Sequence, residues 1–561
     1  MKTKSIFAMS ALALLVLGGC QTPQQKAETQ LKEFITAFEA EVKPMNIEAA
    51  IASWDASITG NDADYTKSEE IRLKLTEVFS DSARFAQLKQ LKDEGNVKDS
   101  LLARELDVLY SGFLRNQVPA ALLETVIKME TNLEKKYSNF RAEVNGKSLT
   151  DNDIEGILGD SKNSKELEMA WNAHKRIGQV VAADVVELVK QRNAIAQSLG
   201  FDNYQVMSLS LSEQNPDEIE ALFDELDNLT RDAFAALKGE IDAYLAKRYG
   251  ISKEKLMPWH YQNRYFQEAP KIYSVDLDKY YADKDIAALT ATFFNGIGIG
   301  VDDLVASSDL YEKPGKNQHA YCTDIDRSGD VRVLCNLKPT YGWMNTNLHE
   351  FGHAVYAKYN NPELPYFLRD AAHSFTTEAI AMIFGRCAGS PQWMLDMGII
   401  TAQEREAITA DAYNAFKLEQ LTFSRWAQVM YRFEKAMYAN PDQDLNALWW
   451  SLVEKYQMLK KPEGRNEPDW ATKIHVALYP CYYHNYLMGE LLASQLHYYI
   501  AQNVLGAANV DAISFVGKPE VGTYLKEKVF MPGMRYHWSE MIERATGEKL
   551  TAKYYSMQFV K

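Results

Sequence analysis

Cysteine is scarce in this chain. Five in 561 residues, with no regular spacing, cannot make a disulfide scaffold. A basic excess is missing too. The 61 Lys and Arg are outnumbered by 76 Asp and Glu, for a formal charge of −15. That argues against a nucleic-acid partner, since neutralising phosphates needs a basic face. Past residue 20 no apolar run is long enough to cross a bilayer. Repeats, low-complexity tracts and Ser/Gly linkers are absent. Proline is thin in the first half: between residues 24 and 250 it occurs only at Pro44, Pro119 and Pro216. So few breakers suit long helices. A hydrophobic content of 46% excludes wholesale disorder, and the length permits a large core without covalent staples.

The first residues read as a targeting segment. Lys2 and Lys4 give a positive start, and Ser5 to Val16 is apolar but too short for a stable span. Leu17-Gly18-Gly19-Cys20 resembles the lipobox of bacterial lipoproteins. The resemblance implies cleavage after residue 19, a body spanning 20–561, and lipidation of the Cys20 thiol. An ordinary signal peptide that happens to end in cysteine is the alternative. Gln21, where Asp would favour inner-membrane retention, points to the outer membrane facing the periplasm if the source is Gram-negative. The membrane is then a partner through the anchor alone, and a monomer is expected.

Helical periodicity is clearest between Leu167 and Ser198. Ile177, Val180, Val181, Val185 and Leu188 mark one face, and Gly200 stops the pattern. Asn215-Pro216-Asp217 opens another helix. The expected fold is all-α: one large helical domain, with two lobes as an open alternative. One segment departs from that texture. His319 to Cys335 reads as two short strands about a Ser328-Gly329 turn, which would set Cys322 opposite Cys335. A cross-strand disulfide and two free thiols are both open there. Cys387 and Cys481 have no evident partners.

The strongest signal is His349-Glu350-Phe351-Gly352-His353, in a helical stretch from about Thr346 to Tyr359. Residues i and i+4 share a helix face, so both imidazoles can address one metal ion. Glu350 lies about 100° round the helix, off the ligand face but within reach of a water on the metal. A third ligand is needed. Glu378, in a new helix with a Ser/Thr-rich start, would complete a His₂Glu set of the catalytic zinc type. Acids also favour helix N-termini for their own sake, so Glu378 alone is a weak signal. Glu363, Asp370 and His373, in the intervening loop, are the other candidates. Helix-borne ligands are better fixed, which favours Glu378.

These residues resemble the angiotensin-converting enzyme (peptidyl-dipeptidase A) family of gluzincin metallopeptidases. The likeness extends through Trp449-Trp450, Lys455-Tyr456-Gln457, Arg465-Asn466-Glu467 and Lys473-Ile474-His475, in the family's order. It runs from about residue 165 to Tyr555, with residues 20–160 only generically similar. The resemblance implies an ellipsoidal two-lobed body with a deep central groove and a small antiparallel sheet near the active site. It implies one Zn²⁺ per chain and oligopeptide substrates. Glu350 would be the general base, Tyr486 the oxyanion donor, and His475 a ligand of the carbonyl beyond the scissile bond. Lys473 and Tyr483 would hold the substrate's C-terminal carboxylate, with Gln262 as a further contact. The backbone of Ala320 and Cys322 would pair with the extended substrate.

One extra residue between His475 and Tyr483 leaves open which of Tyr482, Tyr483 and Tyr486 plays which part. Val453 and Asn485 stand where the animal enzymes use chloride-binding arginines, so little chloride dependence is expected. Met382 replaces an acid that supports a zinc histidine in the family. The leading expectation is a zinc peptidyl-dipeptidase. A thimet-type oligopeptidase or a metallocarboxypeptidase of the same fold is the enzymatic alternative. A non-catalytic peptide-binding lipoprotein is the alternative of another class.

Overall fold

The computed structural model describes residues 22–560 other than 274 and 511. The expected signal segment 1–19 and Cys20 lie outside the described residues. Helices dominate, as the scarcity of proline predicts. The longest are Pro23–Thr59, Ser164–Ser198, Pro216–Tyr249 and Ala402–Ala439. Asn163 caps the second by accepting from the N–H groups of Lys165 and Glu166, and Gly200, at φ 89°, follows its end. Ile177, Val181, Val185 and Leu188 are buried along this helix. Val180 is not: it is 51% exposed. It falls one position off the i, i+4, i+8 stripe, and that offset turns it to solvent.

Two small antiparallel hairpins are the sheets among the described residues. The first, Ala142–Val144 with Lys147–Leu149, was not anticipated. Its signal is Asn145-Gly146, both at positive φ as a tight two-residue turn requires. The second, Tyr321–Asp324 with Val331–Leu334, is the expected hairpin in a different register. Cys322 faces Val333 rather than Cys335. The tip is longer than two residues because carboxylates organise it. Asp324 accepts from the Arg327 N–H, and Asp326 accepts from the N–H groups of Ser328 and Asp330. Cys335 has left the ladder, and its N–H donates to the Asp309 carbonyl. Both thiols are free, so the disulfide alternative is excluded.

One hydrophobic core runs from Val126 to Phe559. A second unites Leu31, Phe38, Leu88 and Phe113 of the N-terminal helices with Tyr366 and Phe367, in the loop that follows the histidine motif. The motif helix spans Tyr341–Lys358, starting earlier than expected because Thr340 caps it through the Trp343 N–H. The next helix, Ser374–Gly385, is capped by the His373 ring, whose Nδ1 accepts from the Phe375 N–H.

These two helices touch backbone to backbone. A Cβ on Gly352 would stand 2.6 Å from the Ala381 Cα and 3.1 Å from the Ile380 carbonyl oxygen. A third helix, His484–Tyr499, closes on side chains of the second. A Cβ on Gly489 would lie 3.2 Å from the Glu378 Cβ and 3.1 Å from the Met382 sulfur. Gly352→Ala must therefore push two packed helices apart and is expected to cost about 1–3 kcal/mol, read as a lower Tm. Gly156→Ala, in a helix where nothing stands within 4 Å of the new Cβ, is the control. It is expected to stabilise by up to about 1 kcal/mol, since alanine is the better helix former.

Candidate metal centre and substrate cleft

The close helix contact sets the metal site. His349 and His353 lie one turn apart on the motif helix. Glu378 comes from the helix that Gly352 admits. The ligand atoms of all three lie within 4.8 Å of one another. Nε2 of His349 is 3.7 Å and Nε2 of His353 is 3.9 Å from Oε2 of Glu378. Tetrahedral ligands about 2 Å from a metal stand roughly 3.3 Å apart, so each imidazole stands a few tenths of an ångström further from the Glu378 oxygen than in a closed set. Glu378 lies beyond the first helical turn, where capping would have placed an acid. Thr377 Oγ1 lies 2.8 Å from Nδ1 of His353, which leaves Nε2 to face the metal position. No described residue hydrogen-bonds the His349 ring in this way, and Met382 offers no acid there. His373 is not a ligand: its Nε2 donates to the Ser212 carbonyl at 2.9 Å.

The electrostatics of the site suit a divalent cation. Burial holds His349 down to about 4 and His353 to about 3, so both imidazoles are neutral and ready to ligate. Burial and Glu490 push Glu378 up to about 7. Burial and Glu378 push Glu350 up to about 8, opposed only by the Cys322 N–H that hydrogen-bonds its carboxylate. No lysine or arginine is among the groups that shift either carboxyl. Two neutral imidazoles and the Glu378 carboxyl make a donor set for a divalent ion, with the Glu350 carboxyl beside it.

The strand beside Glu350 follows from the same contact. In an antiparallel pair a residue's N–H and C=O point to one side. The Cys322 N–H faces Glu350, so that side is the edge away from Val331–Leu334. Its N–H is therefore engaged, and the Cys322 carbonyl is what that residue can offer a substrate strand. Ala320 lies just before the strand, in line with the same edge.

On the other side of the cleft Lys473 sits in an aromatic enclosure. Its ammonium is 5.1 Å from the Tyr265 ring centre, 5.7 Å from Trp426 and 5.8 Å from Tyr483. Burial and Arg264 hold it down to about 8. The His475 ring is 5.3 Å from that of Tyr483. Its Nδ1 is buried without a partner, and burial keeps the ring neutral, at about 4. Tyr483 therefore belongs with Lys473. Tyr482 and Tyr486 both stand close enough to Glu378 for its charge to raise their phenols. Tyr482 is also hydrogen-bonded to Ser374, which leaves Tyr486 the freer hydroxyl near the metal position. Between His475 and Tyr483 the chain turns at Cys481, at φ 55°, whose N–H donates to the buried Glu434.

One expected residue is displaced. The Gln262 side chain donates to the Gly159 carbonyl at 2.7 Å. The glutamine on Lys473 is Gln267, whose Oε1 accepts from Nζ at 2.6 Å. Left-handed backbone at Gln262 and Phe266 turns this irregular segment, and Gln457 holds it through the carbonyls of Tyr265 and Phe266. No periodicity marks such a turn, so the sequence pointed to a neighbouring glutamine. Asn485 accepts from Gln214, Val453 is buried, and the Arg465 guanidinium is committed to Asp469.

The family model described as angiotensin-converting enzyme matches residues 25–559. The match reaches further back than residue 165, so the N-terminal helices fall within it. Among known proteins, the angiotensin-converting enzyme of Mus musculus is 21% identical over 558 residues, covering 93% of this chain and 42% of its own. That of Mesocricetus auratus is 21% identical, with 93% and 41% covered. That of Oryctolagus cuniculus is 22% identical over 559 residues, with 92% and 42% covered. The chain spans about two fifths of the length of the curated relatives it matches. With its helical fold, its paired histidines and a match along nearly its whole length, the chain belongs to the angiotensin-converting enzyme family of peptidases.

Proposed function

We propose that this chain is a zinc peptidyl-dipeptidase, releasing dipeptides from the free C-terminus of oligopeptides. The observation that carries the reading is the convergence of His349, His353 and Glu378 within 4.8 Å, with Glu350 on the next position of the same helix. Zinc held there would supply a Lewis acid that polarises the scissile carbonyl and acidifies a water. Glu350 takes the proton of the attacking water and passes it to the departing amide nitrogen. A dication beside Glu350 favours the carboxylate form that this role needs. Tyr486 donates to the oxyanion, and His475 donates to the next carbonyl. Lys473, with Tyr483 and Gln267, pairs with the terminal carboxylate and so measures the product length. We also propose that the chain is exported and held to a membrane by a lipid on Cys20, in the outer membrane if the source is Gram-negative.

The test of the reaction is mass spectrometry of an unblocked decapeptide digested by the purified protein. Successive loss of dipeptides is expected, abolished by chelation and restored by zinc. Glu350→Gln is expected to retain zinc and lose turnover by about 10²–10⁴-fold. Full activity in that variant would sink the general-base role. Single-residue trimming or internal cuts would favour a carboxypeptidase or an oligopeptidase.

Lys473 makes a separate prediction. Its charged form is the protonated one, and its ammonium titrates at about 8 in the free protein. kcat/KM for free-acid peptides should therefore fall as pH rises through 8. Amidated peptides, lacking the carboxylate, should show no such phase. Lys473→Ala should cost free-acid peptides about ten- to a hundredfold in kcat/KM, the equivalent of roughly 1.5–3 kcal/mol.

The anchor is tested by fractionation of the native host. Cys20→Ser should move the protein from the detergent-extracted membrane fraction to the soluble one, with its activity in vitro unchanged. A wild-type protein already soluble would end the lipid proposal.

A further inference from the structure

The helix that carries Tyr486, His484–Tyr499, starts without a side-chain cap. The ring of its N-cap residue, Tyr483, packs with Lys473 and His475 instead. What holds the first turn comes from far away in the chain. The Gln214 amide, 3% exposed, donates to Oδ1 of Asn485 at 2.7 Å, and its oxygen accepts from Nε2 of His484 at 2.7 Å. Its nitrogen also lies 3.6 Å from the sulfur of Met488, one turn further on. Both ends of one buried amide are thus spent on the two residues directly before Tyr486. His484 and Asn485 are buried too, and burial and His373 hold the His484 ring neutral, at about 3. A hydrogen bond in such a place is costly to lose, because the freed donor or acceptor meets no water.

Gln214 is itself held in place. It ends the turn at residues 212–214, which follows the helix Tyr204–Leu211. Its N–H donates to the Leu209 carbonyl at 2.8 Å. The Glu213 carbonyl accepts from Nε2 of His537 at 2.9 Å and from Nε1 of Trp538 at 2.7 Å. The Glu213 carboxylate is paired with Arg104. Glu213 stands at φ 59°, left-handed backbone that a non-glycine residue keeps only where its surroundings hold it.

The same turn also reaches the metal side. The Ser212 carbonyl accepts from His373, the residue that caps the helix of Glu378. With its backbone the turn thus meets the cap of the ligand helix, and with the Gln214 side chain it meets the first turn of the Tyr486 helix. A bridge of this kind fixes where one helix starts relative to the other. Successive residues point about 100° apart around a helix, so His484 and Asn485 can engage Gln214 while Tyr486 faces Glu378.

We propose that Gln214 is a positioning residue for the reaction: by tying His484 and Asn485 to the turn that also holds His373, it sets where the Tyr486 hydroxyl stands beside the metal position, without touching the substrate. The inference rests on the peptidyl-dipeptidase reading above, in which Tyr486 donates to the oxyanion. The test is a double-mutant cycle between Gln214→Met and Tyr486→Phe, with steady-state kinetics on one free-acid peptide. Methionine keeps the length of glutamine and makes neither hydrogen bond. A misplacement of about 1 Å can cost about 10²-fold in rate, so Gln214→Met should lower kcat about ten- to a hundredfold and leave KM within about threefold. Zinc content and inhibition by a product dipeptide, which read the metal site and the Lys473 clamp, should stay as in the wild type. In the Tyr486→Phe background Gln214→Met should cost less than about threefold more, because the hydroxyl it positions is gone. Asn485→Ala removes the same bond from its other end and should reproduce both results, which keeps the test decisive if Gln214→Met does not fold. An unchanged kcat, an equal loss of kcat in both backgrounds, or a loss confined to KM or to zinc content would overturn the inference alone. A wild-type kcat in Tyr486→Phe would overturn the oxyanion role of Tyr486, and this inference with it.

Discussion

The site depends on one contact, the backbone approach of the motif helix to the helix Ser374–Gly385 at Gly352 and Ala381. A side chain at residue 352 would separate the two helices, and Glu378 would retreat from the histidines. Gly489 repeats the device on the far side of Glu378 and seats the helix that carries Tyr486. Three helices thus meet at van der Waals distance around one carboxylate. Such close packing fixes ligand geometry in a way that loops do not.

Charge follows from that packing. Burial drives His349, His353, Glu350 and Glu378 all toward their neutral forms. The protein supplies no ammonium or guanidinium to the two carboxyls, although Arg386 stands near enough to pair with Glu490. Cations are instead kept elsewhere. Lys473 is enclosed by aromatic rings, and Arg465 is bound to Asp469. The fold therefore keeps two kinds of charge apart: the carboxyls of Glu350 and Glu378, and the ammonium of Lys473.

Much of the site was legible as local pattern. His349 and His353 follow from helical spacing alone, and Glu378 was preferred to the loop residues because a helix fixes a ligand better. Lys473, His475, Tyr483 and Tyr486 came from family order, and in the structure the His475 ring, the Tyr486 ring and the Lys473 ammonium all lie within 5.8 Å of the Tyr483 ring. The misreadings share a cause. Gln262 stood for Gln267 because a segment turned by left-handed residues has no period to count. Cys322 and Cys335 were set opposite each other because a tight turn was assumed where Asp324 and Asp326 build a longer one. Val180 was counted into a stripe that its neighbours fill.

The sequence alone determined the helical class, the metal-binding face and the family, because each is written in local spacing and residue type. Only the tertiary structure decided which glutamine meets Lys473, that the two cysteines stay apart, and that Thr377 steadies His353 while nothing equivalent holds His349. Those outcomes depend on which surfaces of distant segments come within a few ångströms. Residue 269 meets residue 419, and residue 352 meets residue 381. No periodicity along the chain encodes such meetings; they arise from how the helices pack.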